Sequence, residues 1–158
     1  MRSSIQAVRE AFDAKIKALG YQTYPNGTQA DLYPHVLIGE CTESQNGAMD
    51  AFGQTATITV IVVDGWQKQG NRSRGDGIVN AITSAVLRKP RIMTVTGFDM
   101  PSLVLDNVMT ATEQTKTHTL SKTAVRFKMQ LFQESEMAIT ADTEAITSDT
   151  ILIFADNG

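Results

Sequence analysis

The chain has 158 residues, 42% of them hydrophobic and 20% charged, with a net charge of −3, a composition that argues against a disordered chain and against a membrane protein. The length suits one domain with a real core better than two marginal ones, and no apolar run approaches the ~20 residues that a spanning helix needs. The single cysteine, Cys41, excludes an internal disulfide and any cysteine-based zinc site within one chain; it reads as a small, buried residue of a protein made in a reducing cytoplasm.

The first element in chain order is a helix. Ser3 and Gln6 have the spacing of a capping box, and Ile5, Val8, Phe12, Ile16 and Leu19 then line one face. Lys15 and Lys17 sit towards the C-terminal end and Gly20 supplies a stop. Arg9, Glu10 and Asp13 inside this pattern leave no uncharged core for a secretory signal, so export by that route is not expected. The segment from Tyr21 to Tyr33 contains Pro25-Asn26-Gly27, a turn signal, and reads as a surface connection.

Two strands follow. His35-Val36-Leu37-Ile38 is an apolar run ended by Gly39, predicting a strand over 35–40. Residues 54–64 are β-branched almost throughout. Ala56, Ile58, Val60 and Val62 fall on one face and Thr55, Thr57 and Thr59 on the other, the period of a strand with one buried side. Gly65-Trp66 breaks the pattern and opens a solvated loop. Ile78, Val79, Ile82, Ala85 and Val86 then recur at helical spacing, in a helix that starts near Ser73, with Asp76 as a capping partner, and stops before Pro90.

Beyond Pro90, residues 92–96 alternate as a short strand and 102–112 read as another. In the latter, Leu103 and Leu105 are out of phase with Val108, and a bulge at Asp106-Asn107 would repair the phase. The last core strand lies within 119–132, where Val125, Phe127, Met129 and Leu131 alternate with Arg126, Lys128 and Gln130. The polar stretch 113–119 between these strands has no glycine or proline to force a tight turn, so its tip is expected to project. The elements predict an α+β fold: an antiparallel sheet of about five strands, two helices packed on one face, and a C-terminal extension.

The charges divide the chain into a domain, 1–133, and an acidic extension or arm, 134–158. Six of the seventeen acids fall after Gln133 with no Lys or Arg among them, leaving fourteen basic residues against eleven acidic ones before it. Near its end the extension carries Ile151-Leu152-Ile153-Phe154, four side chains that each lose about 1.5–3 kcal/mol by staying wet. That tetrad is expected to find a partner surface, on its own subunit or on a neighbour.

Catalytic and ligand-binding signals are weak. His35 and His118 have no second ligand at metal spacing. Asp64 ends a strand, where it is read as a turn residue, because no nucleophile or partner carboxylate accompanies it. Gly75-Asp76-Gly77 is neither a dinucleotide fingerprint nor a phosphate loop. Neither an enzyme nor a cofactor is expected. Trp66, Lys68, Arg72 and Arg74, with Arg88, Lys89 and Arg91 at the other end of the helix, form two basic clusters. They are nucleic-acid contacts, or else solvated ends of the helix or half of a protein interface.

Tyr33-Pro34-His35-Val36-Leu37-Ile38-Gly39-Glu40, the strand closing at Val63-Asp64-Gly65-Trp66, the basic loop and the helix Ile78 to Leu87 together resemble the tail-completion (tail-terminator) proteins of tailed bacteriophages. By residue wording the resemblance covers about 33–87, and by element order about 1–132. It implies a structural virion protein, assembled in the host cytoplasm and located in the tail or neck. There it would form a ring, commonly of six copies, that caps the tail tube and offers the surface for head–tail joining. The implied partners are other copies, the tail-tube protein and head–tail connectors, with passive contact to DNA in the lumen and none to membrane. The candidate interface residues are Trp66, Lys68, Arg72, Arg74, Lys116, His118 and Ile151, Leu152, Ile153, Phe154. A head–tail connector or neck protein, or a small nucleic-acid-binding protein, are the alternatives.

Overall fold

The alternation of Val125 to Leu131 becomes a central strand in the computed structural model, which describes residues 2–27, 32–45, 53–67, 70–89 and 93–134. The elements are α1 (Ile5–Ala18), β1 (Thr23–Pro25), β2 (His35–Gln45), β3 (Gly53–Gln67), α2 (Ser73–Val86), β4 (Phe98–Gln114) and β5 (His118–Gln133). The five strands form one sheet in the order β1-β2-β3-β5-β4. Ala56, Ile58, Val60 and Val62 of β3 point the same way as Val125, Phe127, Met129 and Leu131 of β5. The apolar stripes of both helices, Val8, Phe12, Ile16 and Ile78, Ile82, Val86, join them in a single core. Phe12 and Phe127 meet at its centre with ring centroids 5.3 Å apart. The other face carries Thr55, Thr57 and Thr59 beside the exposed Arg126, Lys128 and Gln130. The α+β fold with both helices on one face is therefore the one the hydrophobic periods predict.

Two expected elements are corrected. Residues 92–96 do not form a strand. Ile92 lies outside the described residues, and Val95 makes only an isolated bridge to Phe98 around Gly97, whose φ of 81° closes a turn. That turn, with the Phe98 amide donating to the Val95 carbonyl at 3.0 Å, leaves no length for a strand before β4. The fifth strand comes instead from the segment read as a connection: Thr23–Pro25 pairs with Val36–Ile38 in parallel, so the sheet is mixed. Thr23 is buried and its hydroxyl donates to Asp13 of α1, which ties this short edge to the helix.

The bulge expected near Asp106 is present as a register shift between Leu105 and Asn107, which puts Leu105 opposite Phe127 and Val108 opposite Val125. A second shift lies between Ile38 and Cys41. It explains why β2 runs through Gly39 rather than ending there: a Cβ at Gly39 would stand 2.7 Å from the Thr59 carbonyl oxygen, a backbone approach only glycine permits.

The N-terminal cap of α1 also differs from expectation. Ser3 and Gln6 form no capping box; Gln6 donates to Glu10, and the N-cap is Ser4. Ser4 is fully buried, and its amide and hydroxyl both donate to Glu43 of β2, at 2.9 and 3.0 Å. A carboxylate borrowed from the sheet thus faces the positive end of the helix dipole. Burial pushes the Glu43 carboxyl up, but the hydrogen bonds from Ser4 and Ser3 outweigh it and hold the group below its usual range.

Candidate assembly interface

At one end of the sheet Trp66 lies opposite Thr119 and Gln67 opposite His118. Two of the expected interface segments, the loop after β3 and the hairpin tip between β4 and β5, therefore meet at a single pole. Trp66 is half-buried, and Gly70 packs on it so closely that a Cβ there would be 2.7 Å from Trp66 Cβ. The loop ends are fixed by the Gly70 amide donating to the Gln67 carbonyl at 2.8 Å.

The hairpin tip is tighter than expected. The Thr115 amide and hydroxyl both donate to the His118 carbonyl at 2.8 Å, and the His118 amide donates back to the Thr115 hydroxyl at 3.0 Å. A threonine side chain thus closes the turn that no glycine or proline marks, and the tip extends past the end of β3 only by the turn itself. Lys116 and His118 are exposed on it.

The basic loop is anchored from within. Asp64, its side chain 3% exposed, accepts from Arg74 Nη2 at 2.6 Å and Nε at 3.2 Å, and from the amides of Gly65 at 2.9 Å and Gly75 at 3.0 Å. Arg72 pairs with Asp76 one turn along α2, Nε to Oδ2 at 3.2 Å. The expected Ser73–Asp76 capping pair is absent; Asn71 Oδ1 instead accepts from the Ser73 amide and hydroxyl at 3.1 and 2.6 Å. Arg72 and Arg74 are thus already neutralised by acids of their own chain. Arg88 and Lys89 stand at the far end of α2, about 20 Å away at 1.5 Å per residue, so the two basic clusters do not converge. Lys68, Arg91 and the tetrad Ile151 to Phe154 lie outside the described residues.

A surface that the sequence reading missed is the outer edge of the sheet. β4 is its last strand, and every residue from Val104 to Gln114 is exposed, including Val104, Leu105, Val108 and Met109. The available signal was two adjacent apolar pairs, which place apolar side chains on both faces of one strand.

Several other polar groups are engaged within the chain. A cleft of about 560 Å³ between α1 and β1 is lined by Arg9, Asp13, Lys17, Thr23, Tyr24 and Ile38. In it burial pushes the Asp13 carboxyl up, while hydrogen bonds from Lys17 and Thr23 and the Lys17 charge hold it below its usual range. His35 donates Nδ1–H to the Leu32 carbonyl at 2.8 Å and packs against Tyr33 and Tyr24. Burial pushes the Cys41 thiol up to about 11, which suits a packing residue. Among the described residues no three His, Cys, Asp or Glu side chains gather as a metal site, and no helix is long and apolar enough to cross a membrane.

No protein-family profile matches the sequence, and no curated protein matches it. A solved structure does share the fold. A chain from the virion of native gene transfer agent (GTA) particle aligns with a TM-score of 0.65 at 11% identity, over 84% of this chain and 99% of that one. The bacteriophage SPP1 gp17 protein aligns at 23% identity over 75% of this chain and 89% of its own, with a TM-score of 0.35.

Proposed function

We propose that this chain is a structural virion protein which closes the end of a phage-type tail tube as a ring of copies, six by family resemblance, and offers a surface for head–tail joining. The observation that carries this reading is the fold shared, over 84% of this chain, with a chain of a gene transfer agent virion. The sequence resemblance to tail-completion proteins over 33–87 supports it independently. So does the asymmetry of the surface. A closed ring needs one patch to meet a different patch on the next copy, and here a rigid polar pole with Trp66, Lys116 and His118 contrasts with an apolar sheet edge. The role asks for no catalytic residue, cofactor or metal, and its partners are other copies, tube subunits and connector proteins.

The nucleic-acid-binding alternative is weakened by the internal pairing of Arg72 and Arg74. The head–tail connector reading shares the assembly logic and differs in where the ring sits along the virion. Mass measurement of the purified protein, alone and after mixing with tail tubes, tests the proposal. A ring-sized species that binds tube ends is expected. A chain that stays monomeric at high concentration and ignores tubes overturns the reading, and a ring that binds connector assemblies but not tubes transfers it to the neck.

A further inference from the structure

Asp106, Pro101 and two register shifts guard the outer strand β4 against pairing with another strand, so the contacts open to it are made through side chains. Those side chains have a definite character. β4 carries three acids, Asp99, Asp106 and Glu113, and no base, and among the described residues only Asp106 has a basic partner, Arg126 at 3.4 Å. Between the acids, Val104, Leu105, Val108 and Met109 are between 40% and 66% exposed. Met109 is the most exposed of the four. It shares the helix-free face with Glu113, the two standing opposite Ala124 and Leu120.

The opposite flank of the sheet is the complement of this edge. Four strand spacings away, about 19 Å, β1 and α1 enclose the cleft of about 560 Å³, room enough for several side chains. Tyr24, Pro25 and Ile38 give it apolar walls. Most of its charges are already engaged: Lys17 pairs with Asp13 at 2.7 Å, Asp13 also accepts from Thr23, and Glu10 accepts from Gln6 at 2.8 Å. Of the charged groups in the cleft, Arg9, which is exposed, is the one with no hydrogen-bonding or salt-bridge partner among the described residues. The cleft thus sets an unmatched cation beside apolar walls, and the edge sets an unmatched acid beside an exposed methionine. Because the two patches lie on opposite sides of one sheet, a single chain cannot bring its own together. Two copies can.

We propose that the β4 edge of one copy seats in the α1–β1 cleft of the next, with Met109 against the apolar walls and the Glu113 carboxylate towards Arg9. This rests on the ring reading and supplies it with a contact. Edge and cleft are different patches, so each copy offers one and receives at the other, the arrangement from which rings are built. Apolar burial at Met109 holds the contact, and the charge pair fixes its register.

Native mass measurement on the full chain and two variants tests it. Met109→Asp spoils the edge and Arg9→Glu the cleft. Both positions are exposed, so the thermal midpoint is expected to hold, and a variant that melts early is replaced by Met109→Gln or Arg9→Gln. Each variant alone should need about tenfold more protein, or more, to assemble. Mixed at a concentration where neither assembles alone, they should form a 1:1 pair that grows no further, because one intact edge meets one intact cleft. Assembly of either variant at the wild-type concentration, or a mixture that does not pair, overturns the contact and leaves the ring reading standing. An Arg9→Glu chain that pairs with itself shows edge meeting edge and overturns the contact too. A wild-type chain that stays monomeric overturns the contact and the ring together.

Discussion

Phe127→Ala is the perturbation that most directly probes how α1 sits on the sheet. Phe127 and Phe12 are both fully buried, their ring centroids 5.3 Å apart and planes tilted by 48°. Phe127 lies on a strand flanked on both sides, by β3 and β4, so the surrounding backbone has little freedom to collapse into the space left behind. Truncation should cost about 3–5 kcal/mol, of which about 0.5–1.5 kcal/mol belongs to the ring pair. For a folded unit of this size that is a fall of roughly 10–20 °C in Tm. Lys128→Ala, one residue on but on the exposed face, should change stability by less than about 0.5 kcal/mol. Urea denaturation of both variants, with Phe12→Ala and the Phe12→Ala/Phe127→Ala pair, gives the coupling between helix and sheet as well as the single costs. Equal effects at 127 and 128, or strictly additive losses at 12 and 127, would refute the packing of α1 over β5.

Glu43 should make stability fall at acid pH. Its folded pKa lies below the ordinary value of 4.5, so its contribution is fully present above that value and lost as pH falls through the folded one. Glu43→Gln should flatten the decline without abolishing it, since Asp13 is shifted in the same direction; denaturation midpoints from about pH 6 to about pH 3 measure this, and an unchanged slope would contradict it. Asp64→Ala removes the carboxylate partner of Arg74 and the acceptor of the Gly65 and Gly75 amides and should cost about 1–3 kcal/mol, whereas Arg72→Ala, which removes an exposed pair, should cost less than about 1 kcal/mol. Thermal melts of the two variants rank them, and the reverse order would mean that the loop is not held through Asp64.

What could be read from the residues was whatever their own neighbours determine. The strict alternation at 125–131, the β-branched run at 54–64, the stripe of α1 and the phase break at Asp106 are local patterns, and each became the expected structure. The failures involve partners distant in sequence. Glu43, 39 residues from Ser4, displaces the local Ser3–Gln6 cap, and Asn71 and Asp64 divide the work assigned to Ser73 and Asp76. Thr23–Pro25 becomes a strand because β2 and Asp13 receive it, not through any run of strand formers. Residues 92–96 alternate correctly but are too few between the end of α2 and the turn at Gly97. At the candidate interface, Trp66 was legible as the break in the strand pattern and Lys116 and His118 as part of a polar connection, but their convergence depends on the pairing of β3 with β5. The exposed edge of β4 depends on strand order, which no local pattern encodes.

The two ends of the described domain touch: the Arg2 amide donates to Gln133 Oε1 at 3.2 Å. Strand β5 carries the chain from the Trp66 and His118 pole to this point over sixteen residues, about 50 Å. The domain is thus a vector with its free ends gathered at the tail and its anchored loops at the head. The chain enters the domain at Arg2 and leaves it at Glu134 from the same place, far from the tight turn at Thr115–His118. A circular permutant that joins the termini and opens that turn keeps every strand neighbour in place. It would also move both chain ends to the opposite pole, so comparing where a bulky fusion blocks assembly in the two forms gives the orientation of the subunit.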